Sequence, residues 1–193
     1  MSRDDSKNPG TQKTIAGPVR PREVYFSEHA FMGLLLSSAE VFKKESLGYL
    51  LGYRLDDRFI IEHAFSLQTA RRKRRGVIFH RRDEKKIELI LSNFPKLQIV
   101  GDFHSHTPYG EARGLDVPSP LDVKGMKKDN VYVIIAINES AKTRAWKDNR
   151  DGSISGSMGN FYFRISAYVF HSRTGTPRKA LIRCPLPARL KVR

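Results

Sequence analysis

A chain of 193 residues, 39% of them hydrophobic, can bury one substantial core and is short for two domains. Its single cysteine, Cys184, excludes an intramolecular disulfide and a cysteine-rich structural zinc site; with no apolar run of transmembrane length and no signal-peptide pattern, a soluble cytoplasmic protein is expected. The net charge of +15 suggests nucleic acid until it is located: seven basic groups fall in residues 71–82, seven more in 171–193, and a net +3 in residues 1–22, so the remaining chain is close to neutral.

Residues 1–22, with Asn8-Pro9-Gly10 and Gly17-Pro18, read as a disordered basic arm. Ser27 is placed to cap a helix running to about Lys43, because Ala30, Phe31, Leu34, Leu35, Val41 and Phe42 keep helical spacing with Ser38 as a small spacer. Leu47 to Leu55 and Phe59 to Leu67 are strand-like runs around Asp56-Asp57 and predict a hairpin. Arg71, Arg72, Lys73, Arg74 and Arg75 predict a mobile loop, since adjacent cations repel one another and favour an anionic partner. A second helix is expected from Asp83 to Asn93, where Ile87, Ile90 and Leu91 share a face before Pro95.

An apolar strand then leads through Leu97 to Phe103 into His104-Ser105-His106. Ser119 begins a short helix, with Pro120 at its first position, and the unbroken apolar run Val131 to Ile137 suits a central strand. Thr143 to Lys147 and Asn160 to Phe170 add strands on either side of a flexible 151–159 segment. The fold expected is α/β, a mixed central sheet flanked by helices, formed by residues 23–170. Residues 171–193 read as a basic tail that contains prolines.

The chemistry concentrates around the histidines. Side chains two apart on a strand leave the same face, so His104 and His106 can reach one ion. A carboxylate supplied by Asp122 would complete three protein ligands and leave a fourth position open, the arrangement of catalytic rather than structural zinc. A water activated there needs a carboxylate that is not a ligand to take and return its proton, and Glu45 is suited to that. Ser119-Pro120-Leu121-Asp122 also reads simply as a helix start, and Glu45 after Lys43-Lys44 as a surface acid. Neither plain reading accounts for the co-occurrence of all these groups.

Glu45, Gly48-Tyr49-Leu50-Leu51-Gly52, His104-Ser105-His106 and Ser119-x-x-Asp122 together resemble the JAMM/MPN zinc metalloproteases, a family of deubiquitinating isopeptidases and prokaryotic relatives. The resemblance extends loosely over residues 23–170 and implies a cytidine-deaminase-like sandwich. It further implies one zinc on His104, His106 and Asp122, Glu45 as general base and acid, and Ser119 as hydrogen-bond donor to the oxyanion. Twelve residues, 107–118, separate His106 from Ser119, where the family usually has seven; the extra Tyr109 to Leu115 stretch is expected to loop out without moving the ligands. The implied substrate is ubiquitin or a ubiquitin-like modifier, cut at its C-terminal tail, with Arg71 to Arg75 selecting an acidic modifier. The alternative is a binding or scaffold module of the same type, holding nucleic acid or an acidic partner through its basic loop and tails.

Overall fold

The computed structural model describes residues 22–68, 71–72, 77–78, 81–171 and 175–186. In chain order its elements are β1 (Glu23–Phe26), α1 (Glu28–Glu40), β2 (Leu47–Arg54), β3 (Arg58–Ser66), β4 (Arg71–Arg72), β5 (Val77–Ile78) and α2 (Arg81–Leu91). There follow β6 (Gln98–His106), α3 (Pro120–Gly125), β7 (Val131–Glu139), β8 (Lys147–Asp148), β9 (Ile154–Met158), β10 (Phe161–His171) and β11 (Thr176–Arg183).

The main sheet runs β11-β1-β3-β2-β6-β7-β10-β9-β8, and β11 pairs a second time, with β10. That second pairing closes seven strands into a barrel and leaves β9 and β8 as two extra strands. The long β10 permits this, since residues 161–165 pair with β9 while residues 167–171 pair with β11. The expectation of a helix-flanked α/β sandwich is therefore wrong: the described residues are mostly β, their main sheet is closed, and the helices among them span 13, 11 and 6 residues. The physical reason is β11. It lies in the segment read as a basic tail, and Pro177, Arg178 and Lys179 mask its pattern, yet Ala180 and Ile182 alternate into the core.

The same period of two builds the interior. Val131, Val133, Ile135 and Ile137 of β7 and Phe163, Ile165, Ala167 and Val169 of β10 join Val24, Phe59, Phe103 and Ile182 in one buried cluster. The helix α1 adds Ala30, Phe31, Leu34 and Leu35 to it. Its start is set by Ser27, whose Oγ accepts from the Ala30 amide at 3.1 Å and donates to the Glu62 carbonyl at 2.7 Å. The run in β7 has no polar alternation because its other face is covered too. Tyr132 and Ile134 pack there with Met126 and Tyr168.

The 151–159 segment is not a flexible spacer. Ile154 to Met158 is a strand, and its glycine is required by close packing. A Cβ on Gly156 would stand 2.4 Å from the Trp146 ring. Arg71 and Arg72 pair with Ile78 and Val77 in a separate two-stranded sheet, whereas Lys73, Arg74 and Arg75 lie outside the described residues, as does most of the N-terminal arm. Among the described residues no helix is long and apolar enough to cross a membrane.

Two outcomes follow from closure and packing. A chain ending at His171 should lose cooperative thermal unfolding by circular dichroism, because removing β11 opens both β1 and β10 and uncovers the core. Gly48→Ala should destabilise by about 1–3 kcal/mol in denaturant titration, the usual cost of overpacking, because the added Cβ would meet the Phe103 ring at 2.3 Å.

Candidate metal centre

Strand β6 turns His104 and His106 to the face opposite Phe103 and Ser105, and their Nε2 atoms stand 3.1 Å apart. Asp122 faces them from the first turn of α3. Its Oδ1 lies 3.4 Å from His104 Nε2 and its Oδ2 3.5 Å from His106 Nε2. The three residues can offer ligand atoms all within 4.8 Å of one another, and among the described residues this is the group of His, Cys, Asp or Glu able to hold a metal ion. Two imidazole nitrogens and one carboxylate oxygen, mostly sheltered from solvent, match the donor set of a zinc site with an open position.

Asp122 is held from behind by a reciprocal cap. The Ser119 amide donates to Asp122 Oδ2 at 2.6 Å, and the Asp122 amide donates to Ser119 Oγ at 3.2 Å, with Pro120 pre-set at the first helical position. Burial works against the Asp122 charge, but the bonds to His104, His106 and Ser119 outweigh it and hold the carboxyl far below the ordinary carboxylate range. It is an anion at any pH near neutral. For His106, burial alone would lower the pKa; the hydrogen bonds to Asp122 and to the Leu115 carbonyl, together with the charge of Glu45, raise it overall.

The Leu115 contact corrects the expectation that the longer connection loops out. Residues Tyr109 and Ala112 bridge around Gly110, and the chain folds back so that the Leu115 carbonyl lies 2.7 Å from His106 Nδ1. A carbonyl can only accept, so this contact calls for a proton on Nδ1, and in a neutral ring with that proton Nε2 keeps its lone pair for a metal.

Glu45 reaches the same place by a different route. Lys43, at φ 80°, and the bond from the Lys44 amide to the Val41 carbonyl turn the chain out of α1. Ser46 then pairs with Ser105: its amide donates to Ser105 Oγ at 2.8 Å, and its carbonyl accepts from the Ser105 amide at 3.1 Å. Glu45 consequently lines a cleft of about 470 Å³ shared with His106, Ser119 and Asp122. Tyr109, Leu115, Val117 and Leu121 form its exposed apolar walls. The five residues singled out from sequence, Glu45, His104, His106, Ser119 and Asp122, thus gather at one end of β6. Arg71 and Arg72 sit in β4.

Sequence reasoning missed Ser105, Leu115, Asn138 and Asp116. Ser105 carried a signal in the strand alternation, which turns it inward between the histidines. Asp116 carried none, because its side-chain partners Arg164 and Ser166 are 48 and 50 residues away.

A scan against protein-family models finds no match, and a comparison with curated proteins finds none at a significant level. Among solved structures the chain is similar to protein DSY2949 from Desulfitobacterium hafniense, determined in solution. Sequence identity is 16% and the TM-score 0.56, over 83% of this chain and 92% of that one. A likeness at that identity concerns the fold alone.

The protonation states set a pH dependence. Zinc needs both imidazoles neutral, and His106 keeps its proton to a higher pH than an ordinary histidine at ~6.5, so protons begin to compete above that value. Zinc affinity measured by chelator competition should fall as pH drops from 8 to about 5.5. Asp122, already ionised throughout, should contribute nothing to the slope.

Proposed function

We propose that this chain is a zinc-dependent metallopeptidase of the JAMM/MPN type. It hydrolyses a peptide or isopeptide bond at the C-terminal tail of ubiquitin or a ubiquitin-like modifier. The observation that carries the reading is convergence: residues as far apart in sequence as Glu45 and Asp122 line one cleft beside His104 and His106. The reading rests on these residues and not on the architecture, since the sandwich expected from the resemblance is replaced by a barrel. The modifier as substrate comes from the motif resemblance, as does capture of an acidic modifier by Arg71 to Arg75. The single cysteine favours the reducing cytoplasm as the site of action.

His104, His106 and Asp122 would hold the zinc, which when bound supplies Lewis-acid activation of water and of the scissile carbonyl. Glu45, which is not in the ligand cluster, takes the proton from the attacking water and passes it to the leaving amine. Ser119 serves two purposes. In the helix cap its Oγ accepts from the Asp122 amide, and its O–H, drawn toward the Asp122 carboxylate before substrate arrives, turns to the negative charge that develops on the substrate oxygen. The apolar walls of Tyr109, Leu115, Val117 and Leu121 suit an extended segment laid along the cleft.

The test is hydrolysis of ubiquitin-like fusions by zinc-loaded protein. Glu45→Gln should keep zinc and fold while lowering turnover roughly 100- to 10,000-fold, the scale of general acid-base catalysis. His106→Ala should lose zinc and activity together. Zinc loss in Glu45→Gln, or full activity with zinc removed, would overturn the assignment.

A further inference from the structure

The longer connection between His106 and Ser119 is pinned at both flanks of Leu115. On one flank, the Gly114 amide donates to Asn138 Oδ1 at 2.9 Å, and Asn138 Nδ2 donates to the Gly114 carbonyl at 3.0 Å. Only glycine fits there, because a Cβ would stand 2.2 Å from the His106 carbonyl oxygen. On the other flank, the buried Asp116 accepts from Arg164 Nε at 3.0 Å and from Ser166 Oγ, with Lys179 Nζ at 3.5 Å. The Asp116 carbonyl accepts from Tyr168 at 2.9 Å. The strand register agrees with this course: His106, Ala136 and Arg164 are successive cross-strand neighbours on β6, β7 and β10.

We infer that Gly114 to Asp116 form a strap that selects the metal-competent tautomer of His106, with Asn138 and Asp116 as its positioning residues. Two acceptors compete for the single proton of the neutral ring. The Asp122 carboxylate, near Nε2, pulls the proton to that nitrogen, where it would occupy the lone pair that a metal requires. The Leu115 carbonyl pulls it to Nδ1. A carbonyl in a free loop would exchange this bond for water, whereas one pinned on both sides stays in place and holds the ring ready. The extra residues are then part of the zinc site rather than a spacer. The role of the strap rests on the zinc reading above; the tautomer can be observed without metal.

The test uses metal-free full-length protein with 15N-labelled histidine, at a pH above the histidine titrations. Long-range 15N–1H correlation should show His106 protonated on Nδ1. Asn138→Ala and Asp116→Asn should shift the proton toward Nε2 and weaken zinc binding about 10- to 100-fold in chelator competition, as lost support of a ligand usually does. Tyr168→Phe is the milder variant should Asp116→Asn not fold, and should act in the same direction. Glu23→Gln, which removes the distant ion pair with Arg183, serves as a stability control and should leave tautomer and zinc affinity unchanged. A wild-type His106 protonated on Nε2, or folded strap variants with unaltered tautomer and affinity, would overturn the strap while leaving the zinc reading intact. So would an equal loss of affinity in the control. Wild-type protein that binds no zinc would overturn the zinc reading, and with it the purpose of the strap.

Discussion

The site depends on how β6 is paired. On one edge it runs antiparallel to β2, with Leu47 opposite His104, so the residues entering β2 arrive beside the end of β6, and Glu45-Ser46 are those residues. On its other edge β6 runs parallel to β7, with His106 beside Ala136. Parallel neighbours cannot be joined by a tight turn, so the chain leaving His106 must travel back along the sheet before β7 begins. That return carries the strap, Ser119 and Asp122. One strand with two kinds of neighbour thus assembles the cleft from three separate stretches of sequence.

The register of β6 has to be held tightly for this to work. A slip by one residue would send both imidazoles into the core and turn Phe103 outward. Phe103 opposes this by packing over Gly48, where no side chain intervenes, and Ser105 opposes it by its two bonds with Ser46. Behind β6, the barrel interior is filled from all seven of its strands and from α1, and β7 is covered on both faces. The candidate ligands therefore project from a backbone with little freedom to shift, which is the preorganisation a metal site needs.

Polar groups finish what the apolar packing begins. The cap at Ser119 fixes Asp122 against its own helix, the Leu115 carbonyl fixes His106, and Ser105 fixes the approach of Glu45. Asp116 ties the strap to β10 and, through Lys179, to β11, the strand that closes the barrel. Arg164 and Lys179 also reach Asp151, so two acids and two bases share one network there. Closure of the barrel and placement of the strap are consequently linked, although β11 contributes no residue to the cleft lining.

Much of the site was legible in the sequence because its signals are local. His-x-His on a strand needs only the period of two, Ser-Pro-Leu-Asp needs only capping chemistry, and the hairpin of β2 and β3 needs only alternation around Asp56-Asp57. Ser27 as the cap of α1 and the buried run of β7 were equally readable. What the tertiary structure alone decided depends on partners far apart in the chain. Closure by β11 was hidden because the charged Arg178 and Lys179 interrupt its apolar alternation and only two of its residues are fully buried. The strand Ile154 to Met158 was hidden because its serines and glycine fit beneath Trp146 and against Asn149. The strap was hidden because Asp116 finds its counterions about fifty residues later. Local periodicity and capping are written into neighbouring residues, whereas closure and long-range ion pairing exist only after the chain has folded back upon itself.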